Sequence, residues 1–81
     1  MDSYNETLEY ARKTFEWNPE RTHLLQKSDG MVVAEVMKTK DMWVANNTSQ
    51  KTKKKIGGFE NIELARHAVE REFGLREFEG S

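Results

Sequence analysis

Cysteine is missing from this sequence altogether. That one absence removes disulfide staples, thiolate metal sites and cysteine nucleophiles together. In a small domain it also points to an intracellular, cytoplasmic setting. Long apolar runs are missing too, since no stretch approaches the roughly 18 residues that a spanning helix needs. The leading Met1-Asp2-Ser3-Tyr4 is acidic and polar, which is wrong for a secretory leader. The two Asn-x-Ser/Thr matches that begin at Asn46 and Asn47 are therefore read as chance. Proline occurs once and glycine five times, too little for a linker or a low-complexity tract. With 81 residues and no repeat, the chain is expected to form a single domain spanning 1–81 with one core. A chain of this length buries only roughly 60–65% of its unfolded surface, so its stability is expected to be modest.

Catalytic signatures are scarce as well. His23 and His67 are the only histidines. His67 has Glu63 four residues before it and Glu70 three after it, all near one helix face. That spacing can hold a metal, but such patterns are common on charged helices and two or three ligands without cysteine make a poor site, so the pattern is read as a solvated helix face. No nucleophile elbow is present. Gly57-Gly58 lacks the frame of a phosphate loop. The expectation is a non-catalytic protein with no metal and no cofactor.

Charge is what the chain has in plenty, and it is unevenly spread. Residues 1–30 carry a net charge of −2, residues 31–58 carry +4, and residues 59–81 carry −3. A basic centre between acidic ends can orient a partner, or it can be an ordinary solvated surface.

The periodicity gives the order of elements. Ser3-Tyr4-Asn5-Glu6 fits a capping box, and Tyr4, Leu8, Ala11 and Phe15 follow at helical spacing, which predicts a helix over about 4–17. Asn18-Pro19 ends it. Strands are predicted over about 23–28, 31–38, 42–47 and 52–56. Asp29-Gly30 is read as a two-residue hairpin, and Gly57-Gly58 as the release of the last strand. Asn61 is a plausible N-cap for a helix over about 61–73, with Ile62, Ala65, Val69 and Phe73 as its apolar stripe. Gly74 stands where a left-handed C-cap belongs, with Leu75 folding back, and Phe78 in the tail is a further candidate for the core. The fold class is α+β: a helix, an antiparallel meander of three or four strands, then a helix. Both helices are expected on one sheet face, because two amphipathic stripes need burial. Tyr4, Leu8, Ala11 and Phe15 are expected to share a core with Ile62, Ala65 and Val69.

The strongest local charge feature is Lys51-Thr52-Lys53-Lys54-Lys55. Lysines on an exposed strand block edge-to-edge aggregation, and they also suit contacts with phosphates. Residues 42–71 resemble a recurring pattern. Met42-Trp43-Val44-Ala45, a basic strand, and Lys55-Ile56-Gly57-Gly58-Phe59 leading into a helix with Glu63-Leu64-Ala65 are similar to the ethylene-response-factor (APETALA-type) DNA-binding domain. Related three-strand-plus-helix domains occur in phage integrases and homing endonucleases. With Met31–Met37 as its first strand, the likeness extends over residues 31–73.

That resemblance implies a sheet lying in the DNA major groove with a helix behind it. Trp43, Lys53 and Lys55 fall on matching sheet positions, Phe59 on the aromatic that closes the strand-to-helix turn, and Ala65 and Ala68 on small packing residues. Trp43 is accordingly expected to be partly exposed on the sheet face opposite the helices. The sheet departs from the pattern in having no arginine, and Asn46 and Asn47 stand where arginine is usual. The double-stranded-RNA-binding domain shares the element order, but Glu60-Asn61-Ile62-Glu63 replaces its lysine cluster.

Two functions follow. One is a DNA-binding module of the kind that serves as a phage or mobile-element accessory protein, with Trp43, Asn46, Asn47, Lys51, Lys53, Lys54, Lys55, Lys38 and Lys40 as its nucleic-acid-binding residues. The other is a small protein-binding inhibitor or adaptor that acts through acidic helices or the sheet face. The first requires the six lysines to converge on one exposed face.

Overall fold

The computed structural model describes the backbone of residues 3–49 and 51–76, and within that range the side chains from Leu8 onward. The capping box, Tyr4, Gln50 and Phe78 lie outside the described residues or side chains. The elements are α1 (Ser3–Thr14), β1 (Phe15–Trp17), β2 (His23–Gln26), β3 (Val32–Lys38), β4 (Trp43–Asn47), β5 (Lys54–Phe59) and α2 (Ile62–Glu72). The five strands form one antiparallel sheet in the order β1-β2-β3-β4-β5. The helix α2 packs on β3, β4 and β5, whereas α1 meets the sheet at β1. Among the described residues no helix is long and apolar enough to cross a membrane.

The sheet has five strands rather than three or four, because the first helix is shorter than its stripe suggests. Phe15 continues the helical spacing of Leu8 and Ala11, but it also alternates with Trp17 around the exposed Glu16, and the period-two pattern wins. The Thr14 carbonyl accepts from the Lys27 amide at 2.8 Å, so the chain is tied to the β2–β3 hairpin before β1 begins. Phe15 then meets Phe73 edge-to-face, with ring centroids 5.3 Å apart. Asn18-Pro19 belongs to the β1–β2 turn instead of a helix end. The Asn18 side-chain oxygen accepts from the Thr22 and His23 amides at 2.8 and 3.0 Å.

The β2–β3 connection runs over residues 27–31 rather than through a two-residue turn. Gly30 takes φ 74°, and its amide donates to the Gln26 carbonyl at 2.7 Å. The Asp29 carboxylate caps the Met31 amide at 3.0 Å. β5 continues through Gly57-Gly58 to pair Phe59 with Trp43. The glycines allow close approach there. A Cβ on Gly58 would stand 2.6 Å from the Met42 sulfur, and one on Gly57 would stand 2.9 Å from the Phe59 ring. The caps of α2 follow from its sequence. The Asn61 side-chain oxygen accepts from the Leu64 amide at 3.0 Å. Gly74 adopts φ 79°, and the Leu75 and Gly74 amides return to the Glu70 and Arg71 carbonyls, the pattern of a Schellman motif.

The core lies between the sheet and α2. Leu24, Val33, Ala34, Val36, Ala45, Ala65 and Val69 form one buried cluster, with Phe15, Trp17, Ile56, Ile62 and Phe73 packed against it. Alanines at 34, 45, 65 and 68 leave room for α2 to approach the sheet closely. Of the expected α1 stripe, Phe15 joins this cluster from β1. Ala11 is buried outside it and Leu8 is half-buried. The shared core is therefore built mainly by α2 and the sheet.

Candidate functional site

Strand parity assigns each candidate residue to a face, since successive side chains point to opposite sides. Ala34, Val36 and Ala45 face α2. Their cross-strand partners place Asn47, Lys38 and Trp43 on that same side. The opposite side of β3–β5, here the open face, carries Glu35, Met37, Val44 and Asn46, with Lys55 opposite Asn46. Two register slips, at Val33 and at Ile56, turn those apolar residues into the core while Val32, Glu35 and Lys55 keep to the open side.

Trp43 is accordingly not on the face expected from the resemblance. It is half-buried, packs against the core cluster on the α2 side, stands opposite Phe59 and lies 5.7 Å beneath the Lys38 ammonium. Its large apolar ring extends the core toward the end of the sheet, which explains the choice of side. The lysines do not converge on one face. Lys38 sits on the α2 side, Lys40 in the β3–β4 turn and Lys51 in the β4–β5 loop. Lys54 pairs with Asn47, and Lys55 with Asn46 on the open face. Lys53 forms an ion pair with Glu35 at 2.6 Å.

The two asparagines are committed within the fold. Asn46 is 7% exposed and Asn47 6%. The Asn46 amide donates to the Glu35 carboxylate at 3.2 Å. The Asn47 side-chain oxygen accepts from the Ser49 amide and hydroxyl at 2.9 and 2.6 Å. One polar atom of each side chain is thus engaged in closing the sheet and its loop, and burial turns both residues away from the bidentate contact that reads a base edge.

Glu35 organises the open face, yet it was absent from the sequence-derived candidates. It accepts from Lys53 and Asn46 and lies opposite His23 in β2. The hydrogen bond from Lys53 holds its carboxyl below the ordinary value of 4.5; partial burial opposes this, and Asn46, the Lys53 charge and His23 add to the lowering. A lone carboxylate inside the apolar Val32-Val33-Ala34-Glu35-Val36 run was the available signal, because such a residue needs a partner.

Around this polar band the open face is apolar. Met37 lies opposite Val44, Met42 reaches over Gly58, and Gly58 pairs with Val44. Met37 is 45% exposed and Met42 40%. At the other end Val32 pairs with the half-buried Leu25, next to exposed Met31. Unbranched, polarisable methionines adapt to irregular partner surfaces.

Among the described residues no group of three or more His, Asp and Glu side chains gathers as a metal site. No buried side-chain polar atom among them lacks a partner. The order of three strands and a helix is common to many small α+β domains and identifies none of them. Comparison with family models, with curated proteins and with solved structures found no match for this chain.

Proposed function

We propose that this is a non-catalytic protein-binding module whose open sheet face receives an apolar segment of a partner protein with acidic flanks. The observation that carries the reading is the patch that exposed Met37 and Met42 form around half-buried Val44, on the side of the sheet away from α2. Exposed contiguous apolar surface marks interaction sites. The occupant's acidic character follows from charge. The segment 31–58 has six lysines against Glu35 and Asp41, and Glu35 is already engaged by Lys53. Lys40 beside Met42 and Lys55 beside Asn46 remain to meet carboxylates at the rim.

A DNA-binding module is the competing reading. It is supported by the lysine run on the edge strand β5, but it needs polar readers on the open face, where Asn46 is buried and methionines are exposed.

The test places a photo-crosslinking residue at position 37, with position 9 on α1 as control, in cells that express the protein. The expected result is a protein adduct from position 37 and not from position 9. It should survive nuclease and weaken when Lys40 and Lys55 are changed to glutamate. Equal adducts from both positions, or an adduct lost on nuclease treatment, would overturn the reading.

A further inference from the structure

On the side of the molecule built by the β1–β2 turn and α2 lies a groove of about 570 Å³, a size that suits a small ligand. Its wall includes Trp17, Arg21, Arg66, His67, Glu70 and Arg76, together with Asn18, Pro19 and Glu63. None of these residues belongs to the open sheet face.

The groove's charges are unequally available. The two carboxylates are Glu63 and Glu70, and Glu70 is committed on both oxygens. One accepts from the Trp17 indole at 3.1 Å, and the other from Arg76 Nε at 3.1 Å. This arrangement holds the Trp17 indole in place at the groove and offsets the Glu70 charge. Arg66 is held by a different contact. Its Nε donates to the Arg21 carbonyl at 2.9 Å, which orients the guanidinium and leaves its terminal amino groups outside that bond. Arg21 itself has φ 58°, an uncommon conformation for a residue with a side chain. Its amide is tied to the Asn18 carbonyl at 2.9 Å. The strained turn presents Arg21 and its carbonyl to α2, and backbone strain of this kind concentrates at ligand-binding positions. Among the described residues, two guanidiniums and an imidazole therefore face the groove against one uncommitted carboxylate, that of Glu63.

We infer that this groove binds a small oxyanion carried on a flat apolar body, with Arg66 and Arg21 gripping the anion and Trp17 and Pro19 contacting the body. Guanidiniums match the planar geometry of carboxylate and phosphate oxygens. The inference is independent of the proposed protein-docking face, because it involves neither the methionines nor the lysines of that face.

The test follows the indole N–H resonances of the full chain during titration with inorganic phosphate, phenyl phosphate and benzoate. Trp43 lies outside the groove and serves as an internal reference. The expected result is a saturable shift of the Trp17 signal with an aromatic anion, and little change at Trp43. Phenyl phosphate and benzoate distinguish phosphate from carboxylate, and inorganic phosphate shows how much the flat body contributes. Arg66→Gln should weaken binding by about tenfold or more, the loss expected for a charge-assisted hydrogen bond, and Arg66→Lys should recover part of it. An unchanged Trp43 signal in both variants shows that they are folded. No saturable shift of Trp17 with any of the three probes, or equal binding by folded Arg66→Gln, would overturn the inference.

Discussion

The two faces of the sheet are built from different materials. The face under α2 is dry and tightly spaced: Leu24, Ala34, Ala45, Ala65 and Val69 are inaccessible to solvent, and small residues let helix and sheet approach. The open face has a band of hydrogen-bonded polar groups, Glu35, Lys53 and Asn46, bordered by exposed methionines. The first arrangement stabilises the fold. The second leaves adaptable apolar surface in solvent while keeping its own polar atoms satisfied. That difference is why function is proposed for the open face and stability is ascribed to the covered one.

The comparison is broken most forcefully at Leu24. Leu24→Ala on the covered face should lower unfolding free energy by about 2–5 kcal/mol, measured by urea denaturation. A loss no larger than that of an open-face methionine would mean that the faces do not differ in this way. Asn46→Ala comes next, with an expected loss of about 1–3 kcal/mol, because it removes a buried partner of Glu35. Gly74→Ala should cost about 1 kcal/mol, since φ 79° strains a residue with a Cβ. Met42→Ala should change stability by only about 0.5 kcal/mol, and a larger loss would place Met42 in the core.

Acid sharpens the same contrast. The Glu35 carboxyl is held below 4.5, first by the Lys53 hydrogen bond. A depressed folded value means that the carboxylate contributes stability above the unfolded value and loses it as pH falls through the folded one. Stability should therefore decline below pH 4.5, and Glu35→Gln should flatten that part of the profile. A wild-type profile matching that of Glu35→Gln through this range would mean that the ion pair is not maintained in solution.

Much of the fold was legible because local rules and tertiary packing agree. Asn61 and Gly74 cap α2 as their chemistry suggests, and Val33 and Val36 mark β3 as a strand with one side in the core. Legibility failed where two periods coincide. Phe15 fits a helix through Ala11 and a strand through Trp17, and contacts distant in sequence, its pairing with Gln26 and its meeting with Phe73, decide between them. Gly57-Gly58 signals a break locally, yet cross-strand neighbours that need close approach keep both glycines in the ladder. The candidate site was less legible for a related reason. Trp-x-Ala spacing says that Trp43 and Ala45 share a side, but not which side, and α2 chooses it. The fate of Lys53 depended on Glu35, 18 positions earlier in the chain, a pairing that only sheet register creates. The groove beside Arg66 joins a turn to a helix 45 residues away, and no local motif announces it.

The central claim, that the open face serves a protein partner rather than a nucleic acid, is tested most directly by titrating labelled duplex DNA at about 50 mM and about 200 mM salt, a range over which phosphate binding changes steeply. The same titration is run on the protein with Lys53, Lys54 and Lys55 changed to alanine. The account predicts no saturable binding that depends on those lysines at either salt. Saturable binding at the lower salt, weakened at the higher and abolished by the three substitutions, would contradict it.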